Sequence, residues 1–273
     1  MNKVISFDLF ADFGFFKKPF SNEKLDLYLT FNMIHKPALL GILGAIVGLS
    51  GYKEYGILPE YYEKLNALKV GIEPIEKNEV TGKIFSGKGN FQKTTLKYNN
   101  TVGYANKQNN IPCNLIIHEQ IILNPAYRCY ILLDDSIDLE LQSKLEEYLS
   151  NGYADYLPYF GKNEFSAWWE KESFHEYSII DSNINESFTI SSIFYLSDST
   201  LKDSKSGLFD FFSAINPFAY FERLPIGFIQ IEDGYQYQIE KFVYSSFQLK
   251  ANTQIENLYA IKSDNETKYV QLF

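Results

Sequence analysis

The chain has 273 residues, of which 45% are hydrophobic, and it carries a formal net charge of −9. This length and apolar content are enough for one large core or two smaller ones, so we expect a folded globular protein. The acidic balance argues against a generic nucleic-acid coat, because a phosphate-binding surface over the whole chain would make it basic.

The two cysteines, Cys113 and Cys129, form no CxxC pair and lie near no histidine at metal-ligand spacing. We therefore expect no metal site and no cofactor. The first residues, MNKVISFDLF, lack the pattern of a secretory signal, and the apolar run 38–49 is shorter than the ~18 residues that span a bilayer. These features predict a cytoplasmic protein.

Two strands are predicted near the start of the chain. Ile5, Phe7 and Leu9 alternate with polar residues, and a second alternating segment covers residues 25–31. Between the two strands lies the loop FGFFKKPFSN.

A glycine-containing helix is predicted over residues 38–49, with Pro37 in its first turn. Gly41, Gly44 and Gly48 share one face of this helix. Glycine in a helix costs about 1 kcal/mol relative to alanine. The three glycines therefore indicate that either a packed element or a ligand closely approaches this face.

A short helix over 59–65 and a strand over 68–72 precede a basic segment. Residues 80–118 contain five lysines and no aspartate or glutamate. Glycines, asparagines and aromatic residues stand between the lysines, which is typical of a protruding hairpin. The lysines and aromatic residues of the segment are Lys83, Lys88, Phe91, Lys93, Lys97, Tyr98, Tyr104 and Lys107.

A strand pair is predicted at 115–123 and 127–133, followed by an acidic helix over 137–149. Asp135 or Ser136 is suited to cap the start of this helix, and Gly152 is suited to end it.

Beyond residue 175 the chain is predicted to consist mainly of strands. The dipeptide Asp233-Gly234 is a strong hairpin signal, and the polar segment 198–207 is predicted to be a loop. The predicted strands are 225–232, 235–243, 255–262 and 267–273.

The order of strand, helix, strand, strand, helix and strand predicts an α+β fold with a ferredoxin-like, RRM-like palm over residues 1–175. The basic segment forms a thumb insertion at about 80–114, between the second and third palm strands. Residues 176–273 form a β-rich C-terminal region. This topology occurs with many functions and does not by itself assign one.

The residues form no convincing catalytic set. His35, His118 and His175 are scattered, and adjacent His118 and Glu119 point to opposite faces of their predicted strand. The string SGKGN lacks the spacing of a phosphate-binding Walker loop. We therefore expect no catalytic residue.

The positive features favour binding. Lys17, Lys18 and Lys36 are predicted to lie beside the N-terminus of the glycine helix, where free N–H groups favour phosphate. The hairpin lysines add charge for a nucleic-acid backbone, and the hairpin aromatic residues are suited to stack on unpaired bases. The alternative is an ordinary solvated hairpin.

Four strings carry a resemblance to a known family. FGFFKKPF, KPALLGILGAIVGL, LNPAYRCYI and YLPYFGKNEFSA are similar to the sequence of the fifth CRISPR-associated protein family. They fall within residues 3–167. The C-terminal strings ERLPIGFIQ and FVYSS are similar in character but less specific.

The resemblance implies a RAMP protein of a prokaryotic type I Cascade complex, a ribonucleoprotein of antiviral defence. Its palm and thumb would bind the 5′ handle of the crRNA, and the chain would contact the backbone-forming and large subunits. The family motifs map onto Phe16, Lys17, Lys18, Pro19, Pro37, Gly41 and Gly44. Charge and composition assign Lys36, Lys83, Lys88, Phe91, Lys93, Lys97 and Tyr98 to the same RNA site.

One branch of the family, in type I-C systems, cleaves precursor crRNA without metal, using a tyrosine, a lysine and a histidine. His118 here follows Ile117 rather than a lysine, so this set is not matched and a type I-B-like scaffold is favoured. Two alternatives stay open. One is a metal-independent endoribonuclease, and the other is a protein-interaction module whose lysine hairpin docks on an acidic partner.

Overall fold

The computed structural model describes residues 2–19, 27–101, 114–181, 184–195, 207–210, 217–232, 234–263 and 266–273. It is a mixed α and β structure in which strands predominate. The α-helices are α1 (Lys36–Ile46), α2 (Glu60–Leu65) and α3 (Leu139–Asn151), and a short 3₁₀-helix covers Lys171–Ser173. The strands are β1 (Lys3–Ala11), β2 (Phe13–Gly14), β3 (Phe16–Lys17), β4 (Leu27–Tyr28), β5 (Thr30–Phe31), β6 (Val70–Lys77), β7 (Ile84–Ser86), β8 (Lys93–Thr101), β9 (Asn114–Leu123), β10 (Ala126–Leu133), β11 (Ala167–Trp169), β12 (His175–Ile180), β13 (Phe194–Tyr195), β14 (Phe209–Asp210), β15 (Ala219–Ile231), β16 (Gly234–Ser245), β17 (Gln248–Leu249), β18 (Leu258–Ser263) and β19 (Glu266–Gln271).

The largest sheet has the strand order β19-β18-β12-β1-β10-β6-β7, and β11 also pairs with β1. The pairs along this order are antiparallel. Along the chain, β1, α1, β6, β10, α3 and β12 follow one another in the predicted order. Their four strands lie side by side as β12-β1-β10-β6.

The two faces of this sheet carry different side chains because neighbouring residues of a strand point in opposite directions. Ile5 and Phe7 of β1 belong to the main hydrophobic core, which also contains Leu39 of α1 and Leu145 of α3. The alternate residues of β1, including Asp8, lie on the helix-free face. One face of the sheet is therefore covered by helices, and the other has a partly polar centre.

The sheet curls until its distant strands meet. The N–H of Val70 donates to the carbonyl of Phe273 at 3.1 Å, and the N–H of Phe273 donates to the carbonyl of Val70 at 2.9 Å. A second core fills the concave side, with Val4, Tyr130 and Leu272 among its members. The C-terminal strands β18 and β19 thus continue the sheet that starts at β1, while the division at residue 175 stays a prediction.

Helices α1 and α3 lie close to their predicted positions. Pro37 stands in the first turn of α1, and His35 caps it by accepting a hydrogen bond at Nδ1 from the N–H of Ala38 at 3.3 Å. Gly152, with φ 72°, ends α3 as predicted, but the N-terminal cap position is Asp138 instead of Asp135 or Ser136. In the described part of the chain, no helix is long and apolar enough to cross a membrane.

The inserted hairpin is longer than predicted. Strand β9 was expected to pair with β10, but it pairs along its length with β8, from Lys93 opposite Ile122 to Thr101 opposite Asn114. β10 instead pairs with β1 and β6. The insertion between β6 and β10 therefore includes all of β9 and does not end at residue 114; Tyr104 and Lys107 lie outside the described residues.

The strand predicted over 25–31 is divided in two. β4 pairs in parallel with β9, whereas β5 pairs with β3. The alternating pattern did not reveal this division because it continues across both halves, although each half pairs with a different strand. β2, which opens the FGFFKKPF segment, and β4, which follows this segment, are thereby built into the same sheet as the inserted hairpin.

The C-terminal hairpin is confirmed and extends further than predicted. β15 and β16 pair from Ala219 opposite Ser245 to Ile231 opposite Gly234, with a bulge between Pro225 and Gly227. The last predicted pair of strands is also present, as β18 and β19. The predicted loop at 198–207 lies outside the described residues except for Gly207.

Candidate nucleic-acid interface

The base of the inserted hairpin is joined to the end of β5 by one buried amide. Asn32 is only 2% exposed. Its Oδ1 accepts a hydrogen bond from Lys93 Nζ at 2.6 Å, and its Nδ2 donates to the carbonyl of Gly89. Gly89 has φ +79°, and an added Cβ there would lie 2.6 Å from Met33 Cε. The amide therefore fixes Lys93 and a tightly packed turn together.

A buried carboxylate from the C-terminal hairpin completes this arrangement. Glu222 accepts hydrogen bonds from the N–H groups of Asn32 at 3.0 Å and Met33 at 3.1 Å, and from the hydroxyl of Tyr220 at 2.6 Å. Lys18 Nζ lies 3.4 Å from Glu222 Oε1. We call Lys18, Asn32, Lys93 and Glu222 the lysine junction. It joins the FGFFKKPF loop, the inserted hairpin and β15.

Charges in the lysine junction influence one another. The pKa of Lys93 is lowered mainly by burial and further by the nearby charge of Lys18, while Glu222 acts in the opposite direction. Two ammonium groups thus share one carboxylate and leave a net positive charge. Sequence reasoning selected both lysines but missed Asn32 and Glu222, since neither lies in a pattern that predicts contact across 190 residues.

The FGFFKKPF loop presents one lysine to solvent and anchors itself with an aromatic ring. Lys17 is exposed, and its Nζ lies 4.0 Å from the centre of the Tyr28 ring. Phe16 is buried, with its ring centre 5.4 Å from that of Phe160. Pro19 is exposed. Phe16 therefore holds the loop, whereas Lys17 is accessible to a ligand.

Strand β8 carries Lys93 and Lys97, of which Lys97 is the more exposed. Lys93, Thr95 and Lys97 alternate along β8 and so share one face. Lys97 is exposed, and the register places it directly opposite His118 of β9. A cation and an imidazole are thus cross-strand neighbours on that face.

The two hairpin aromatics that lie in the described residues have different surroundings. The Tyr98 ring is 39% exposed, and Lys162 Nζ lies 4.7 Å from its centre. Phe91 is partly buried and packs edge-to-face against Tyr127, with ring centres 5.2 Å apart. Tyr98 is therefore accessible for stacking, whereas Phe91 fixes the base of the hairpin. RNA binding by either ring stays a prediction.

Lys83 and Lys88 are both exposed but do not lie on β8. Lys83 precedes β7, which pairs with β6 at the edge of the central sheet. Lys88 follows β7, and its N–H donates to Glu76 Oε1 at 3.4 Å. The structure thus distributes the predicted thumb lysines over two sheets.

The glycine face of α1 is approached by a neighbouring helix. An added Cβ at Gly44 would collide with Cβ of Tyr61 in α2, and one at Gly41 would lie 3.5 Å from Cζ of the same tyrosine. Close packing therefore accounts for Gly44. Gly48, with φ +80°, lies beyond the end of α1.

Lys36 differs from the other predicted lysines because it is buried, with 9% exposure. Burial lowers the pKa of its ammonium group to about 8, and the charge of Lys69 adds to this effect. His35 beside it is also buried, which lowers the pKa of its imidazole to about 3. His35 is consequently neutral at pH 7, as its role as a hydrogen-bond acceptor requires.

An aromatic cleft of about 510 Å³ runs beside α1. It is lined by Phe16, Gly41, Tyr52, Tyr61, Tyr156 and Tyr159, among others. Tyr52 and Tyr156 are 61% and 58% exposed. Such exposed aromatic surface is typical of a binding surface. Within the described ranges, no three metal-ligating side chains lie together.

Comparison with known proteins gives matches only among solved structures. No protein-family model matches the chain, and no curated protein matches it. A chain of a CRISPR RNA-guided surveillance complex is 9% identical with a TM-score of 0.45, covering 91% of this chain and 92% of its own length. A chain of the type III-B Cmr-beta complex, solved bound to cognate target RNA and AMPPnP, is 10% identical with a TM-score of 0.43, covering 91% and 86%. SMU1763c from Streptococcus mutans, a functionally uncharacterised protein, is 10% identical with a TM-score of 0.37, covering 96% and 97%.

Proposed function

We propose that this chain is a non-catalytic RNA-binding subunit of a type I CRISPR Cascade complex of the I-B-like kind. In that role it holds the 5′ handle of the crRNA and contacts the backbone-forming and large subunits. The four strings described above, FGFFKKPF, KPALLGILGAIVGL, LNPAYRCYI and YLPYFGKNEFSA, support the assignment. Since all three structural matches have TM-scores below 0.5, the proposal rests on the residues of this chain.

The proposed palm is ferredoxin-like. Support comes from the antiparallel order β12-β1-β10-β6, the order of elements along the chain, and the helices α1 and α3 on one face. The LNPAYRCYI string runs into β10, the third strand in this order. The inserted strands β8 and β9 then correspond to the thumb.

The observation that carries the proposal is the convergence of Lys18 and Lys93 on Glu222 and Asn32. The two lysines come from separate parts of the sequence, and both were selected as phosphate-binding residues. One carboxylate offsets their charge only in part, so the junction attracts a polyanion. The exposed Lys17 and Lys97 extend the positive charge outward from it.

In the proposed mechanism, the lysines neutralise handle phosphates while the hairpin separates the handle from the spacer. Each lysine that replaces a counterion contributes to affinity in a salt-dependent manner. The half-exposed ring of Tyr98 is suited to stack on an unpaired base. Glu222 holds the loop and the hairpin in a fixed arrangement before RNA binds.

Protein partners are also part of the proposal. Exposed aromatic and apolar residues surround the cleft beside α1, and such surface is costly for a protein that acts alone. These residues include Tyr52, Tyr156, Leu157 and Tyr159. A neighbouring subunit that covers them would remove this surface from water.

The deciding experiment is to purify the chain with the products of its neighbouring genes and to sequence the RNA that co-purifies. We expect short RNAs that share one 5′ handle. A complex without RNA would contradict the proposal and would favour the protein-interaction module.

A second function, metal-independent cleavage of precursor crRNA, is favoured by one observation. Lys97 and His118 are cross-strand partners on one face of the hairpin. A histidine suited to proton transfer beside a lysine suited to stabilise a phosphorane could cleave RNA through its 2′-hydroxyl. The lysine lies opposite the histidine in space and does not precede it in the sequence.

The two functions are separated by incubating the chain alone with labelled precursor crRNA in EDTA. The scaffold proposal predicts intact RNA. The nuclease function would be established by cleavage at one position that is lost in His118→Ala. The control variant, Lys241→Glu, should retain this cleavage.

A further inference from the structure

A second polar cleft, of about 1260 Å³, opens on the side of the molecule where β1, β10, β12, β18 and β19 meet. None of the residues predicted to bind the handle lines it. Its charged lining residues are Lys3, Arg128, His175, Glu176, Lys262, Glu266 and Lys268.

The cleft is more cationic than the chain as a whole. Without the histidine, its lining has four cationic side chains and two carboxylates, whereas the whole chain has a net charge of −9. Glu176 is engaged by Lys3 at 2.9 Å, and Glu266 contacts Lys268 only loosely at 3.6 Å. Lys3 also contacts Glu146 at 2.6 Å, and Arg128 is paired with the buried Asp8, so the cleft offers an anion N–H donors rather than a net positive charge.

Arg128 is held in position from behind. Its Nε and Nη2 donate to the two carboxylate oxygens of Asp8 at 2.7 and 2.8 Å, and Asp8 is 1% exposed. A guanidinium group has five N–H donors. Two are used by Asp8, so three remain for an acceptor in the cleft, as far as the described residues go.

A buried ion pair of this kind contributes little net stability, because removing both ions from water costs about as much as their attraction returns. It does fix the plane of the guanidinium group. A guanidinium held in this way matches the geometry of a phosphate, which it binds through two parallel N–H groups.

His175 lines the cleft together with Arg128 and Lys268. Burial lowers the pKa of its imidazole, and the charge of Arg128 lowers it further; Asp8 acts in the opposite direction, and Lys268 has a smaller lowering effect. Three groups able to donate to an anion thus line the same cleft. Their mutual repulsion is relieved when an anion binds between them.

We propose that this cleft binds a phosphate group, with Arg128 and Lys268 as its cationic ligands and His175 as a further hydrogen-bond donor. The phosphate belongs either to a free nucleotide or to a nucleic-acid strand. The site is separate from the lysine junction and does not depend on the function proposed above.

The test measures binding of inorganic phosphate, AMP and a short labelled single-stranded RNA to the full chain. Arg128 is not substituted, because Asp8 would be left buried without its partner. The variants are Lys268→Glu and His175→Gln, with Lys241→Glu as the control of equal charge change, since Lys241 is exposed on β16.

We expect Lys268→Glu to weaken binding roughly tenfold or more, as the loss of one charge-assisted hydrogen bond predicts. His175→Gln should weaken it less, and Lys241→Glu should leave it unchanged. Binding of AMP and phosphate identifies a nucleotide site, and binding of RNA alone identifies a strand site. RNA is measured in a Lys17→Glu/Lys97→Glu background, so that the exposed lysines that extend from the lysine junction do not contribute.

No binding of any of the three probes to the wild-type chain would overturn the proposal. Equal affinities of Lys268→Glu and Lys241→Glu would do the same, provided that both variants melt like the wild type. Neither result bears on handle binding, because the cleft and the lysine junction share no residue.

Discussion

Lys93 donates a hydrogen bond to the side-chain carbonyl of Asn32, with Nζ and Oδ1 2.6 Å apart. The lysine belongs to the inserted hairpin and the asparagine to the segment between β5 and α1. This contact between two side chains 61 residues apart therefore helps to orient the hairpin relative to the central sheet.

Replacing Asn32 by alanine should loosen the hairpin. The buried ammonium of Lys93 and the carbonyl of Gly89 would both lose their partner, at a cost of about 1–3 kcal/mol in the free energy of unfolding. Chemical denaturation measures the loss, and limited proteolysis within β8 and β9 reports the loosening. Asn99→Ala is the control, because Asn99 is exposed on the same hairpin; an equal effect of both substitutions would contradict this role of Asn32.

Reversing the charge of the two exposed lysines should weaken binding of handle RNA without altering the fold. For Lys17→Glu with Lys97→Glu, we expect the slope of log K against log salt concentration to fall by about 1.4, since each phosphate contact on a single strand contributes about 0.7. Lys171→Glu with Lys241→Glu changes the net charge equally and is the control. Equal binding by the two double variants would remove both lysines from the site.

A related double substitution, Lys93→Glu with Lys97→Glu, should also weaken RNA binding and its salt dependence. It has a second consequence, because Lys93 is bonded to Asn32. We therefore expect a lower melting temperature for this variant but not for Lys17→Glu with Lys97→Glu.

Acid should destabilise the protein through His35. The pKa of this imidazole is about 3 in the folded state because of burial, against about 6.5 in an unfolded chain. The unfolded state thus binds more protons between these values, and stability falls as the pH drops below about 6.5. At pH 5 the expected loss from this group is about 2 kcal/mol. His35→Asn keeps a capping side chain but does not titrate. The stability of this variant should therefore change less between pH 7.5 and pH 5 than that of the wild type. If the variant and the wild type lost the same stability over this range, His35 would not be the group responsible.

The two glycines of α1 should respond differently to alanine. Gly44→Ala forces a methyl group into the side chain of Tyr61 and should cost about 1–3 kcal/mol of stability. Gly41→Ala meets the ring of Tyr61 only at contact distance, 3.5 Å, and should gain up to about 1 kcal/mol from helix propensity. Thermal melting of the two variants compares the effects directly, and similar melting temperatures would show that Tyr61 does not restrict Gly44.

Local sequence patterns predicted several individual elements. Alternation identified β1, the helical spacing with Pro37 identified α1, and Asp233-Gly234 identified the hairpin of β15 and β16. The pairing of β9 was predicted wrongly, because its apolar alternation suits a palm strand equally well. Only the partner strand β8 distinguishes the two arrangements, and a pattern within one strand carries no information about its partner.

The candidate sites depend on contacts that sequence patterns do not encode. Lys18 and Lys93 were selected from charge, but their common carboxylate comes from Glu222, 190 residues beyond Asn32. The pairing of Arg128 with Asp8 spans 120 residues and was not predicted either. A charged residue in a strand is usually exposed. The pattern along one strand therefore does not indicate that Asp8 and Arg128 are buried against each other, which only the three-dimensional structure shows.

The central sheet closes between Val70 and Phe273, so two distant parts of the chain must meet before the protein is fully folded. Contacts between residues so distant in sequence give a high contact order, which predicts slow folding. A fragment ending at residue 175 would lack β18 and β19 and would leave β1 without most of its β12 partner. Such a fragment would expose the edge of an apolar strand and would be prone to aggregate, so residues 1–175 should be produced together with the C-terminal strands.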